Sequence, residues 1–364
     1  MKRSKFLALA ISIMVGASAF TGCSGATPKT EPTAPAAAEA KETPAEPVAE
    51  EPAKDDKIVI GLSLPTQREE RWVRDKETME KYAAEKGIEL KVQVTDTDVA
   101  QQAAQVENLI SQGIDILILA PVDGAASAAS VQQAHDAGIK VLSYDRMITD
   151  CDVDLYLSFD NVKVGELQGE FITTKVPKGN YIVMSGAPTD NNAKLFKEGA
   201  MKFIQPLVDK GDIKIIADQA VDNWEATNAL KIVENALTAN ANQVDAILAP
   251  NDGTAGAAIQ ALAAQGLDSK VPVTGQDSEV SAAQRIVEGT QAMTIFKDTR
   301  DVGKASIDAA IALVKGEDVI TNGTVNNGKI DVPSVLLTPM VVSKENIDKV
   351  LIDSGYMKKE DVYK

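Results

Sequence analysis

Histidine is almost absent from this chain. The only one, His135, lies in Gln132-Gln-Ala-His-Asp136 on a stretch patterned as an amphipathic helix, where it is expected to face solvent. No G-x-S-x-G, H-E-x-x-H or P-loop occurs, and no G-x-G-x-x-G follows the first strand-like run, so the common hydrolase, zinc-protease and nucleotide motifs are excluded. There are two cysteines. Cys23 follows the leader, which leaves Cys151 alone in the body, without a disulfide partner or zinc-type spacing. No metal and no cofactor are expected. Positive charge is also short: 37 Lys and Arg stand against 53 Asp and Glu, a net charge of −16. An acidic body argues against nucleic acid as a partner. After residue 20 no apolar run approaches membrane-spanning length. Aromatics make up only 4% of residues and tryptophan occurs twice, so the positions of Trp72 and Trp224 carry information.

What is present begins with a leader. Lys2, Arg3 and Lys5 precede an apolar or small-residue run to Phe20, then Thr21-Gly-Cys23. This pattern predicts a secretory signal peptide over residues 1–22. The small residues before Cys23 resemble a bacterial lipobox, which implies cleavage before that cysteine and its lipidation; Phe20 departs from the usual leucine. Residues 23–56 hold six prolines and few large apolar side chains. Such a segment cannot bury enough surface to offset the entropy of ordering, and predicts a flexible tether. Without the leader's three cations the net charge is −19. The tether's eight acids and three bases leave −14 on residues 57–364.

In the body, β-branched runs at 58–63, 90–94, 114–120, 140–144, 181–185, 214–217, 245–249, 271–274 and 292–296 read as strands. Intervening stretches such as 99–112, 125–137 and 225–240 read as amphipathic helices. Alternating βα units predict an α/β fold with parallel sheets covered on both faces. An internal echo suggests two similar lobes. Leu119-Ala-Pro-Val-Asp-Gly124 returns as Leu248-Ala-Pro-Asn-Asp-Gly253, each with an Asp before the strand (Asp115, Asp245) and another ending the next strand (Asp145, Asp277).

Ligands of open parallel sheets bind beyond the carboxyl ends of the strands. Two lobes facing each other would bring Asp145 and Asp277 to opposite walls of one cleft. Asp145-Arg146, Asp190-Asn-Asn192, Asn251, Asp277 and Lys297 all fall at expected strand ends, and Trp72 and Trp224 fall at strand-to-helix junctions. Carboxylates, amides and cations exchange hydrogen bonds with hydroxyls, while flat rings stack on the C–H faces of a sugar. Each residue alone reads better as a cap, a turn or a core edge; their recurrence at strand ends favours a sugar site. Asp145 and Asp277 as a glycosidase pair is disfavoured, because Arg146 and Lys297 beside them keep carboxylates ionised while a general acid needs a raised pKa.

Arg68-Glu-Glu-Arg-Trp72, Tyr144-Asp-Arg-Met147, Ser158-Phe-Asp-Asn161, Asp190-Asn-Asn-Ala-Lys194, Gly275-Gln-Asp277 and Asp331-Val-Pro-Ser334 together resemble the D-xylose-binding proteins of bacterial ABC transporters, within the type I periplasmic-binding-protein family. The resemblance runs from about residue 57 to the C-terminus. It implies two Rossmann-like lobes joined by a three-segment hinge near 160–163, 297–299 and 327–332. The first lobe would comprise 57–162 and 298–328, the second 163–297 and 329–364. It implies hydroxyl-binding roles for Arg71, Asp145, Arg146, Asp190, Asn192, Asn251, Asp277 and Lys297, stacking by Trp72 and Trp224, and Lys194 as a further candidate. Pro65-Thr-Gln67 departs from the family in lacking an acidic pair. The implied protein is not an enzyme. It is a monomeric, extracytoplasmic receptor, held at the membrane by lipid on Cys23, that delivers D-xylose or a similar monosaccharide to ABC permease subunits. The alternative is a receptor of the same fold presenting sugar to a membrane kinase or chemoreceptor.

Overall fold

The computed structural model describes residues 57–363; the leader, Cys23 and the expected tether lie outside them. The chain opens with β1 (Val59–Leu64), α1 (Glu70–Glu85), β2 (Glu89–Val94), α2 (Val99–Ser111), β3 (Ile116–Leu119), α3 (Ala128–Asp136), β4 (Lys140–Tyr144) and β5 (Leu155–Phe159). These five strands are parallel, and β1 lies between β2 and β3 with Leu62 opposite both Val92 and Ile118. Alternation along the strands divides the core between two faces. Ile60, Leu62, Ile116 and Ile118 pack with Met79 of α1, while Leu117, Leu119 and Val141 pack with Val106 of α2 and Val131 of α3.

The second lobe continues with α4 (Asn161–Lys175), β6 (Gly179–Ser185), α5 (Asn191–Asp209), β7 (Ile213–Ala220), α6 (Ala226–Ala239), β8 (Ala246–Leu248), α7 (Asp252–Ala263), α8 (Val280–Glu288) and β9 (Thr294–Phe296). Its parallel sheet runs β7-β6-β8. Ile182 and Ile247 face Val233 of α6 and Leu262 of α7, while Tyr181 and Val183 face Ile172 of α4 and Ile204 of α5. Helices α4 and α5 meet at glycines: a Cβ on Gly165 would lie 1.9 Å from the Phe196 carbonyl oxygen.

The chain then returns to the first sheet. Helix α9 (Thr299–Lys315) supplies Val302 and Ile307 to the core beside α1. Strand β10 (Gly323–Asn326) pairs antiparallel with β11 (Asp331–Leu337), and β11 is parallel to β5, giving the order β10-β11-β5-β4-β3-β1-β2. Last, β12 (Met340–Val342) pairs antiparallel with β9.

The internal echo holds at the level of single hydrogen bonds. Asp115 accepts from the Val59 amide (2.8 Å) as Asp245 accepts from the Asn180 amide (2.7 Å). The Asp145 amide donates to Leu157 (2.8 Å) as the Asp277 amide donates to Ile295 (2.9 Å). Both of these aspartates sit at positive φ, 58° and 93°.

Three sequence expectations need correction. Residues 271–274 form one bridge, Val273 to Ile247, in place of a strand. Strands β5, β10, β11 and β12 were absent from the sequence reading. The third crossing does not fall at 327–332: β11 still pairs with β5, so the chain leaves the first sheet only after Leu337. The Asp160 amide donates to the Leu337 carbonyl (2.9 Å), which sets the first and third crossings side by side. Two crossings run straight into helices, Asp160 capping α4 and Asp298 capping α9. Among the described residues no helix is long and apolar enough to cross a membrane.

Candidate functional site

Loops at the carboxyl ends of both parallel sheets enclose one cavity. The first lobe supplies Arg71 and Trp72 from the first turn of α1, and Asp145 and Arg146 from the end of β4. The second supplies Asp190 and Asn192 at the start of α5, Trp224 after β7, Asn251 before α7, Asp277, and Lys297 after β9. All ten line this space, together with Glu69, Phe196 and Gln276.

Charge is organised as three pairs. Arg71 Nη1 donates to Asp145 Oδ2 at 2.8 Å, while its Nη2 and Nε hold Asp75 at 2.9 and 3.2 Å. Arg146 Nε lies 2.9 Å from Asp190 Oδ2, on the opposite lobe. Lys297 Nζ is 2.9 Å from Asp277 Oδ1. Burial alone would raise the Asp145 carboxyl, but Arg71, Lys297 and Arg146 together hold it below the ordinary carboxylate range. Asp190 is shifted the other way, because burial outweighs Arg146.

Hydrogen bonds frame these groups from behind. The Asp145 carbonyl accepts from Tyr156 Oη (2.8 Å), Ser158 Oγ (2.7 Å) and Asn192 Nδ2 (2.9 Å). Those three bonds hold Asp145 in a left-handed conformation that a non-glycine residue otherwise avoids. Asn251 uses its side-chain oxygen to cap α7 through the Thr254 amide (3.0 Å), which leaves its amide NH2 as the group to offer a ligand. Trp224 Nε1 donates to Asp190 Oδ2 (3.2 Å). The Trp224 ring lies against Gly186, where a Cβ would come within 2.1 Å of it.

The cleft is shut by bonds between lobes. Arg68 reaches across to the Glu225 carboxylate and to the Asn223 carbonyl (2.9 Å), the Val280 amide donates to Glu70 Oε2 (2.9 Å), and the Gly124 amide donates to the Thr189 carbonyl (3.0 Å). What is enclosed is small, lined by carboxylates, amides and cations and bordered by two tryptophans, an arrangement that recognises a compact polyhydroxyl ligand.

The periplasmic binding protein domain matches residues 60–318. The chain belongs to the periplasmic binding protein family. The D-xylose-binding periplasmic protein of Escherichia coli is 47% identical to this binding protein over 305 residues, covering 84% of the chain and 92% of that relative. The multiple sugar-binding periplasmic receptor ChvE of Rhizobium radiobacter is 38% identical, covering 84% and 93%. The carbohydrate transporter solute-binding protein of Chloroflexus aurantiacus, solved with D-glucose, superposes with a TM-score of 0.80 at 35% identity, covering 84% of this chain and 98% of that one. The fold is the type I one, and the relatives are sugar-binding transport proteins, not enzymes.

Within this binding protein, two residues of the sequence reading do other work. Lys194 is exposed on α5 and lies 3.8 Å from Glu198, away from the cavity. His135 is half-buried, with Nε2 2.9 Å from Asp154 Oδ2, and is not simply solvated. Cys151 is buried, which pushes its thiol up to about 11. Glu69, Phe196 and Gln276 escaped the reading. Glu69 and Gln276 lie inside the motifs Arg68-Glu-Glu-Arg-Trp72 and Gly275-Gln-Asp277 but were given no site role, and their place in those motifs was the available signal.

Proposed function

We propose that this protein is an extracytoplasmic receptor that captures D-xylose between two closing lobes and delivers it to the permease of an ABC importer. The observation that carries this reading is the convergence of three ion pairs and two tryptophan rings on one cavity closed by bonds from both lobes. The paired carboxylates accept from vicinal hydroxyls and the guanidinium groups and Lys297 donate to the same oxygens, while the rings cover the apolar faces. The 47% identity to a D-xylose-binding protein supports the choice of sugar. Titration calorimetry of the full chain against D-xylose, D-glucose, L-arabinose and D-ribose should give one site with D-xylose tightest. Tight binding of ribose with none of xylose would overturn it. We further propose a lipid anchor on Cys23. Mass spectrometry of the exported protein should find a diacylglyceryl adduct there, and an unmodified N-terminus elsewhere would exclude it.

A further inference from the structure

Three of the four acids lining the cavity sit against cations: Asp145 with Arg71, Asp190 with Arg146, and Asp277 with Lys297. Glu69 is the fourth. It stands immediately before α1 without capping that helix, and its Oε2 is buried with no hydrogen-bond partner among the described residues. Arg68 beside it is engaged across the cleft by Glu225 and the Asn223 carbonyl. A buried carboxyl oxygen left unpaired is costly, and its persistence on the wall of a binding cavity calls for a partner that arrives with the ligand.

We propose that Glu69 is a further ligand-contacting residue of this cavity, bonded through Oε2 to a hydroxyl of the bound monosaccharide. The inference rests on the reading of the cavity as a sugar site. The three cations already face Asp145, Asp190 and Asp277 and, behind Arg71, Asp75, so a further ionised carboxylate would leave the enclosed space with an uncompensated charge. Burial pushes the Glu69 carboxyl above its ordinary range, against the opposing pull of Arg146 and Arg68, and Asp277 adds to the rise. The rise favours the protonated form, which can donate to one hydroxyl and accept from another. Glutamine reproduces both functions and leucine neither. Ionisation of Glu69 opposes binding, so affinity falls as pH rises through its raised pKa. Asp252 and Glu279 are raised as well, to about 7 and about 8, and add a pH dependence of their own. The readout is therefore the difference between the wild type and Glu69→Gln.

Titration calorimetry with D-xylose should be run on full-length wild type, Glu69→Leu, Glu69→Gln and Arg71→Ala at pH 5.5 and pH 8. Glu69→Leu should bind roughly five- to tenfold more weakly, the worth of one neutral hydrogen bond, and Glu69→Gln should be rescued to within about threefold of the wild type. The wild type should lose more affinity between the two pH values than Glu69→Gln does. Wild-type affinity in Glu69→Leu, with binding abolished in Arg71→Ala, would overturn the role of Glu69 alone. Undiminished binding in Arg71→Ala would instead overturn the sugar-site reading beneath it. If Glu69→Leu does not fold, Glu69→Ala takes its place, and wild-type affinity in Glu69→Ala is the overturning result.

Discussion

Trp72 and Trp224 border the same cavity on different supports. Trp72 is 2% exposed and packs into the core of the first lobe, with the Arg71 guanidinium 4.3 Å from its ring centre. Trp224 is half-buried and sits at φ 58° on a 3-10 turn, Asp222–Trp224, propped by Gly186 and Asp190. Trp72→Ala should therefore lower stability by about 3–5 kcal/mol as well as weakening sugar binding. Trp224→Ala should leave the melting temperature nearly unchanged and cost about 1–3 kcal/mol of affinity. Thermal melts alongside fluorescence titrations separate the two, and a large melting loss in Trp224→Ala would make that ring structural. Gly186→Ala should reproduce the affinity loss by displacing the ring. The residues legible in the sequence were those whose chemistry is explicit at a strand end, such as Asp145-Arg146. Glu69 was not, because a glutamate within Arg68-Glu-Glu-Arg71 has the pattern of a solvated helix start, and only the folded loop turns it inward.

At the scale of elements, the amino end of α8 gathers acids from both lobes. Glu70 accepts from the Val280 amide, and Asp252 accepts from the Glu279 amide (3.0 Å). Burial raises Asp252 to about 7, and burial together with Asp252, Asp277 and Glu70 raises Glu279 to about 8. Below the ordinary carboxylate range both groups are protonated, folded or unfolded. As pH climbs toward 8 the unfolded chain releases protons that the folded chain retains, so stability falls with rising pH. Melting temperature should drop between pH 5.5 and 8.5, and Glu279→Gln should shrink that drop; an unchanged drop would place the effect elsewhere. The elements themselves were legible where periodicity was clean: 140–144 coincides with β4, and 99–112 nearly coincides with α2. Strand β5, Leu-Tyr-Leu-Ser-Phe, is wholly buried but has no β-branched residue, and β11 carries Pro333. A reading built on β-branched runs passes over the first, and proline disfavours strand assignment in the second.

Across the whole molecule, closure depends on a few contacts between lobes that otherwise pack separately. Arg68 is the one that spans the cleft mouth to Glu225 and the Asn223 carbonyl. Partly exposed pairs add little to folding stability, but one that exists only when the lobes meet bears directly on how long they stay together. Arg68→Ala should speed sugar release several-fold in stopped-flow fluorescence with little change in melting temperature; an unaltered release rate would remove Arg68 from the closing contacts. The two-lobe architecture was legible because its echo is written in paired motifs. The last crossing was not, because its position depends on the long-range pairing of β11 with β5. That pairing also governs the order of assembly. The edge of β5 finds its neighbour only when residues 331–337 arrive, so the first lobe to be started cannot be finished until almost all of the second has been synthesised. A ribosome must deliver nearly the entire polypeptide before that sheet can close, and a nascent chain arrested before Asp331 would present an unpaired strand edge, open to association with other chains.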